Sequence, residues 1–229
     1  MKKLFITALL FSTIFSNVNA QENDSELGAW YMYFWSTQFK ESKFGLVGDV
    51  QYRDWEVLGD FQQFIVRSAV NYDVNPNLKL FAGYGYFTSG EFGESKNTST
   101  EHRLHQDILM PQKISERFLV RHRIRIEERW VENQDFRTRF RYGLYLTIPL
   151  TQPNLKKNSL FLSVFDEVFI NGQTDIGNNR SVEYFDRNWL YGALGYAITD
   201  NFNVQLGILR QTTPTVSKNS LQVGLHHSF

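Results

Sequence analysis

The chain contains no cysteine, which removes disulfides, thiol nucleophiles, cysteine-ligated metals and a lipid-modified N-terminal cysteine. Its 24 basic and 24 acidic residues cancel, and no polybasic block stands out, so nucleic acid is not an expected partner. Nucleophile elbows and zinc-binding helices are missing as well, as is a carboxylate pair tied to a cleft. Beyond the N-terminus, no apolar run approaches the roughly 20 residues that a membrane-spanning helix needs. What the chain has instead is aromatic side chains: 20 Phe, 11 Tyr and 5 Trp.

The N-terminus reads as an export signal. Lys2 and Lys3 precede a short apolar run, Leu4–Phe15, and Val18-Asn19-Ala20 forms a small-residue cleavage site. This predicts a cleaved signal peptide over residues 1–20 and one mature domain over 21–229. An exported, aromatic-rich chain without spanning helices points to an outer-membrane β-barrel or a secreted β protein.

The stretch FLVRHRIRIEERWVENQDFRTRFRYGLYLTI, Phe118–Ile148, is the most informative. Arg121, Arg123, Arg125, Glu127 and Arg129 share one parity, and so do Arg137, Arg139 and Arg141 after a polar turn. Phe136, Phe140, Tyr142, Leu144, Leu146 and Ile148 fill the other parity. A period of two places these sets on opposite faces of extended strands. Similar segments recur along the chain, most of them longer than the ~5–6 residues of an ordinary globular strand. They suffice for tilted strands across a bilayer. Short connections near Glu41–Ser42, Asn75–Asn77, Ile114–Ser115 and Thr199–Asn201 contrast with long polar ones at Ser89–Thr100 and Asn171–Asp186. Short periplasmic turns with long extracellular loops is the outer-membrane arrangement.

The fold expected is therefore all-β, an antiparallel transmembrane barrel. Eleven segments are visible, but single-chain bacterial barrels use even numbers. This favours about 12 strands, with 10 as the alternative. The last segment carries Leu221, Val223, Leu225, His227 and the terminal Phe229 on one parity. A final strand ending in an aromatic resembles the signal read by the barrel-assembly machinery of Gram-negative bacteria. That machinery and outer-membrane lipid are the expected partners, and the cell outer membrane is the expected location.

With these segments placed, the chain resembles the outer-membrane β-barrel family catalogued as domain of unknown function 2490. The matching landmarks are AWYMYFW early on, QYR at Gln51–Arg53, NPNLKLFAGYGY at Asn75–Tyr86 and EHRLHQ at Glu101–Gln106. RHRIRIEERW and FRTRFRYGLYLTIPL follow, then FDEVFIN at Phe165–Asn171 and FDRNWLYGALGY at Phe185–Tyr196. The resemblance implies a fold and a location, and no activity or functional residues.

By parity, the lumen should collect Arg53 and Arg67, then Glu101, Arg103, His105 and Asp107, then the Arg121–Arg129 and Arg137–Arg141 ladders, with Glu167 and Arg187 beside them. An arginine facing lipid at mid-depth costs ~2–4 kcal/mol, so a set this large must face inward or sit at a rim. Two readings follow: a filled barrel held by internal ion pairs, or a small-solute channel whose excess of arginine favours anions. An enzyme acting on lipid or peptide is the alternative, with His102 or His105, Glu101 or Asp107, and Ser68 or Ser163 as candidate groups. No cofactor or metal is expected. Trp30, Tyr31, Tyr33, Trp35, Trp55, Trp130 and Trp189 are expected in interfacial girdles.

Overall fold

Alternation of apolar with small or charged residues leaves an extended chain one way to bury its charges without stranding its backbone: close the sheet on itself. The computed structural model describes residues 27–229 apart from 94, 95, 116 and 153, so the expected signal segment lies outside the described residues. Eleven strands form one closed barrel. They are β1 (Gly28–Gln38), β2 (Phe44–Glu56), β3 (Gly59–Asn75), β4 (Leu78–Gly90), β5 (Thr98–Ser115), β6 (Phe118–Val131), β7 (Arg137–Pro149), β8 (Leu160–Asn171), β9 (Phe185–Ala197), β10 (Phe202–Thr212) and β11 (Ser217–Ser228).

Each strand pairs antiparallel with its sequence neighbour, and β1 closes the circle against β11 in parallel. That seam corrects the expectation of about 12 strands. Evenness is required only if every pair is antiparallel, and one parallel pair closes an odd number. The seam runs from Gly28↔Ser220 to Ser36↔Ser228, and the Phe229 amide donates to the Ser36 carbonyl at 2.8 Å. An odd count also sets the two ends of the described chain on opposite rims.

The rim bearing the start of β1 carries the connections at 57–58, 91–97, 132–136, 172–184 and 213–216. The other rim carries those at 39–43, 76–77, 116–117, 150–159 and 198–201, together with Phe229. Loop lengths alternate imperfectly: 57–58 is short on the first rim, and 150–159, long already in the sequence, is long on the second. We call these the long-loop and short-turn rims. On the long-loop rim the β8–β9 loop leans on the β6–β7 turn, where the Asp135 amide donates to the Ile176 carbonyl at 2.9 Å. Asn133 in that turn has φ 58°, a left-handed conformation that asparagine tolerates better than most residues.

Parity decides the faces. From β2 to β10, large apolar residues such as Val66, Leu104, Ile126, Phe140, Leu194 and Leu206 point outward and are exposed. Inside, arginines and carboxylates from β2–β9 share the lumen with an apolar wall that includes Phe87, Phe161, Phe169, Tyr191 and Leu209. Small residues make room for large ones across the pairs. Phe161 lies opposite Gly195, where any Cβ would collide with its ring. Gly195→Val therefore overpacks the lumen, and urea unfolding of the refolded barrel should lose about 1–3 kcal/mol of stability. An unchanged midpoint would mean that Phe161 has somewhere else to go.

Candidate functional site

The charged lumen is built from β2, β3 and β5–β9, and inward residues of paired strands lie in register. Glu127 is opposite His105 and Arg139, and Arg125 is opposite Asp107 and Arg141. Arg53, Glu101, Arg103, His105, Asp107, Arg125, Glu127, Arg129, Arg137, Arg139, Arg141 and Glu167 are all buried. Arg67, Arg123 and Arg187 are partly covered, and Arg121 is exposed at the short-turn end.

Glu127 is the hub. It is 1% exposed and accepts from Arg139 Nη2 at 2.5 Å and Arg141 Nη1 at 2.7 Å, with Arg125 and Arg103 at 3.8 and 3.9 Å. Glu101 sits between two guanidinium forks, from Arg103 at 2.6 and 2.7 Å and from Arg129 at 2.6 and 3.1 Å. Glu167 accepts from Arg123 at 2.7 and 2.9 Å, from Arg141 at 3.0 Å and from the Tyr145 hydroxyl at 3.2 Å. Asp107 takes the fork of Arg125, and Asp49 that of Arg67. Arginine alone supplies this planar bidentate geometry, which explains why no lysine replaces it in the ladders.

Aromatic rings complete the filling. The Arg53 guanidinium lies 3.6 Å from the Trp30 ring, Arg103 lies 3.7 Å from Phe87, and Arg141 lies 4.1 Å from Phe169. Trp189 meets Trp30 edge-on at 5.2 Å and Phe169 at 4.7 Å. Trp30 and Trp189 are thus lumen residues, which corrects their expected place in an interfacial girdle. Period-two logic assigns faces, but it does not say which face of an aromatic-rich strand turns inward. Together these groups crowd the long-loop half of the lumen. The short-turn half holds a cavity of about 570 Å³, lined by Arg121, Arg123, Tyr145, Phe165, Tyr191 and His226 among others.

Two lumen residues escape the parity argument. Asp186 accepts from Arg139 at 2.6 Å although its neighbour Arg187 also faces inward. The β8–β9 register slips between Phe169 and Ile170, so Asp186 sits in a bulge and both can reach in. Gln62 accepts from Trp30 Nε1 at 3.1 Å through a similar slip opposite Arg53 and Asp54. No feature of the sequence marks either bulge.

The candidate catalytic groups are split between the two faces, with His105, Asp107 and Ser163 lining the lumen cavity. His102 faces outward and bonds the Tyr84 hydroxyl at 2.5 Å, and Ser68 lies opposite Tyr84 on the same outer face. His105 is buried inside, but Glu101 and Asp107 are committed to arginines. Among the described residues, no cluster of three or more His, Asp or Glu could hold a metal ion.

Removing one partner of a buried ion pair strands a charge and typically costs 3–5 kcal/mol, whereas an exposed pair contributes about 0–1 kcal/mol. Glu127→Ala should therefore destabilise the barrel by about 3–5 kcal/mol in denaturant unfolding. Asp73→Ala, which breaks a rim pair with Lys79 whose side chains are 27% and 33% exposed, should stay below about 1 kcal/mol. Equal losses would deny the hub its special position.

Residues 27–222 match the family described as "Protein of unknown function (DUF2490)". A relative in Methylorubrum extorquens, itself an uncharacterized protein, is 30% identical over 184 residues, which covers 75% of each chain. No solved structure matches. The match spans ten of the strands whole and half of β11. The chain belongs to the DUF2490 family of proteins of unknown function.

Proposed function

We propose that this protein is an integral outer-membrane barrel of a Gram-negative bacterium whose lumen is filled by its own side chains. The observation that carries this reading is the inversion of the usual solubility pattern. Charges crowd the interior while Val66, Leu104, Ile126, Phe140, Leu194 and Leu206 stand exposed on six different strands. Water-soluble proteins rarely expose contiguous apolar patches beyond a few hundred Å². Hydrocarbon is the solvent that suits such a surface. Strands of 11 to 18 residues exceed the ~9–11 that a tilted strand needs to cross a bilayer.

Several polar groups on the outer face are partnered, as a hydrocarbon setting favours. His122 meets the Tyr142 hydroxyl at 2.9 Å, and Asp166 accepts from Asn188 Nδ2 at 3.1 Å. In this reading Leu221, Val223, Leu225 and the exposed Phe229 on β11 engage the barrel-assembly machinery, and the N-terminal export signal delivers the chain to it. The protein then acts as a stable closed barrel in the membrane rather than as an open diffusion channel.

Val66, near the middle of β3, offers the discriminating test. In a barrel refolded into lipid vesicles, Val66→Arg should cost about 2–4 kcal/mol of stability. On a surface facing water the same change should fall within about 0.5 kcal/mol. The native barrel should also migrate differently on gels before and after heating. A neutral Val66→Arg would overturn the membrane reading.

A further inference from the structure

The cavity in the short-turn half of the lumen is lined by cationic groups with unused capacity. Asp49, Asp107 and Glu167 line it, and each is already bonded by arginine. Arg121 also lines it, exposed, and among the described residues no carboxylate lies within ion-pair distance of it. Its guanidinium sits 4.9 Å from the Tyr145 ring, and Arg123 sits 5.1 Å from the same ring. The Arg123 Nε is buried without a hydrogen-bond partner.

Beside these cations runs a row of rings set by the strand register: Arg121↔Tyr145, Tyr145↔Phe165 and Phe165↔Tyr191. Tyr145 and Phe165 are 5.1 Å apart, and Phe165 stacks on Tyr191 at 4.8 Å. His226, stacked on Phe34 at 4.6 Å, also lines the cavity. The floor reaches Trp30, Arg53 and Arg141, and the layer of Glu101, Arg103, Glu127 and Arg139 beyond it takes no part in the lining. The volume of about 570 Å³ falls within the usual ~300–1,000 Å³ of small-molecule sites.

We infer that this cavity is a binding site for a small organic anion with an aromatic body, entered from the short-turn rim. The carboxylate or phosphate group lies against Arg121, whose donors it satisfies, with Arg123 adding positive charge beside it. The ring lies along Tyr145, Phe165 and Tyr191, where stacking and apolar burial hold it. A bare inorganic anion fills only the first half of this site, and a neutral aromatic only the second. The inference rests on the filled-lumen reading solely for the cavity's closed floor, and it does not depend on the membrane.

Calorimetric titration of the refolded barrel in amphipol tests it with phenyl phosphate, inorganic phosphate and phenol as probes. Phenyl phosphate should bind saturably at one site, with inorganic phosphate and phenol each at least about tenfold weaker. Arg121→Gln breaks no ion pair, so the fold should persist while affinity for phenyl phosphate falls about tenfold. Tyr145→Leu should weaken phenyl phosphate and leave inorganic phosphate unchanged. Absence of saturable binding, equal binding of phenol, or an unchanged affinity in Arg121→Gln would overturn the assignment. Conductance measured on the same preparation separates the two readings, since a conducting barrel that still binds phenyl phosphate would sink the filled lumen alone.

Discussion

Everything inside this barrel turns on carboxylates that cannot be left alone. Glu127, Glu101 and Glu167 are enclosed at the centre of a sheet cylinder, and each is held by at least two guanidinium groups. An isolated charge in that position would be prohibitively costly, and an arginine without its carboxylate equally so. The two sets therefore specify one another. Most of these pairs join different strands and so also fix a strand register, and a slip of one residue would turn each ladder to the outside.

A buried ion pair is a weak source of net stability, because its desolvation offsets much of the attraction. Its value here lies elsewhere. A cylinder this wide needs its interior occupied, and long arginines stacked on Trp30, Phe87 and Phe169 occupy it while bonding its carboxylates. Apolar filling would be as stable but would leave the two faces of each strand chemically alike. With charge inside and hydrocarbon-compatible side chains outside, the faces are not interchangeable.

Much of this was legible from the residues alone. The period of two in Arg121–Arg129 and Arg137–Arg141 needs only the geometry of a strand to separate a charged face from an apolar one. The segment boundaries followed from the same alternation. What escaped was non-local. The parallel closure of β1 on β11 joins residues about 190 apart in sequence, and no local pattern announces it. The bulges at Gln62 and Asp186 invert parity for a single residue, so a rule built on strict alternation misplaces them. Trp30 and Trp189 were misread because an aromatic ring satisfies both a headgroup layer and an arginine-rich interior. The cavity beside Arg121 depends on how far each side chain reaches, which spacing does not encode.

The account stands on the lumen being closed by its own side chains, and single-barrel conductance in a planar bilayer addresses that most directly. Refolded native protein that shows the heat-dependent mobility of a closed barrel should insert without producing stable current steps in symmetric salt. Steady ohmic steps of uniform size would contradict it. They would mean that the arginine layer around Glu127 lines a water-filled path instead of filling one.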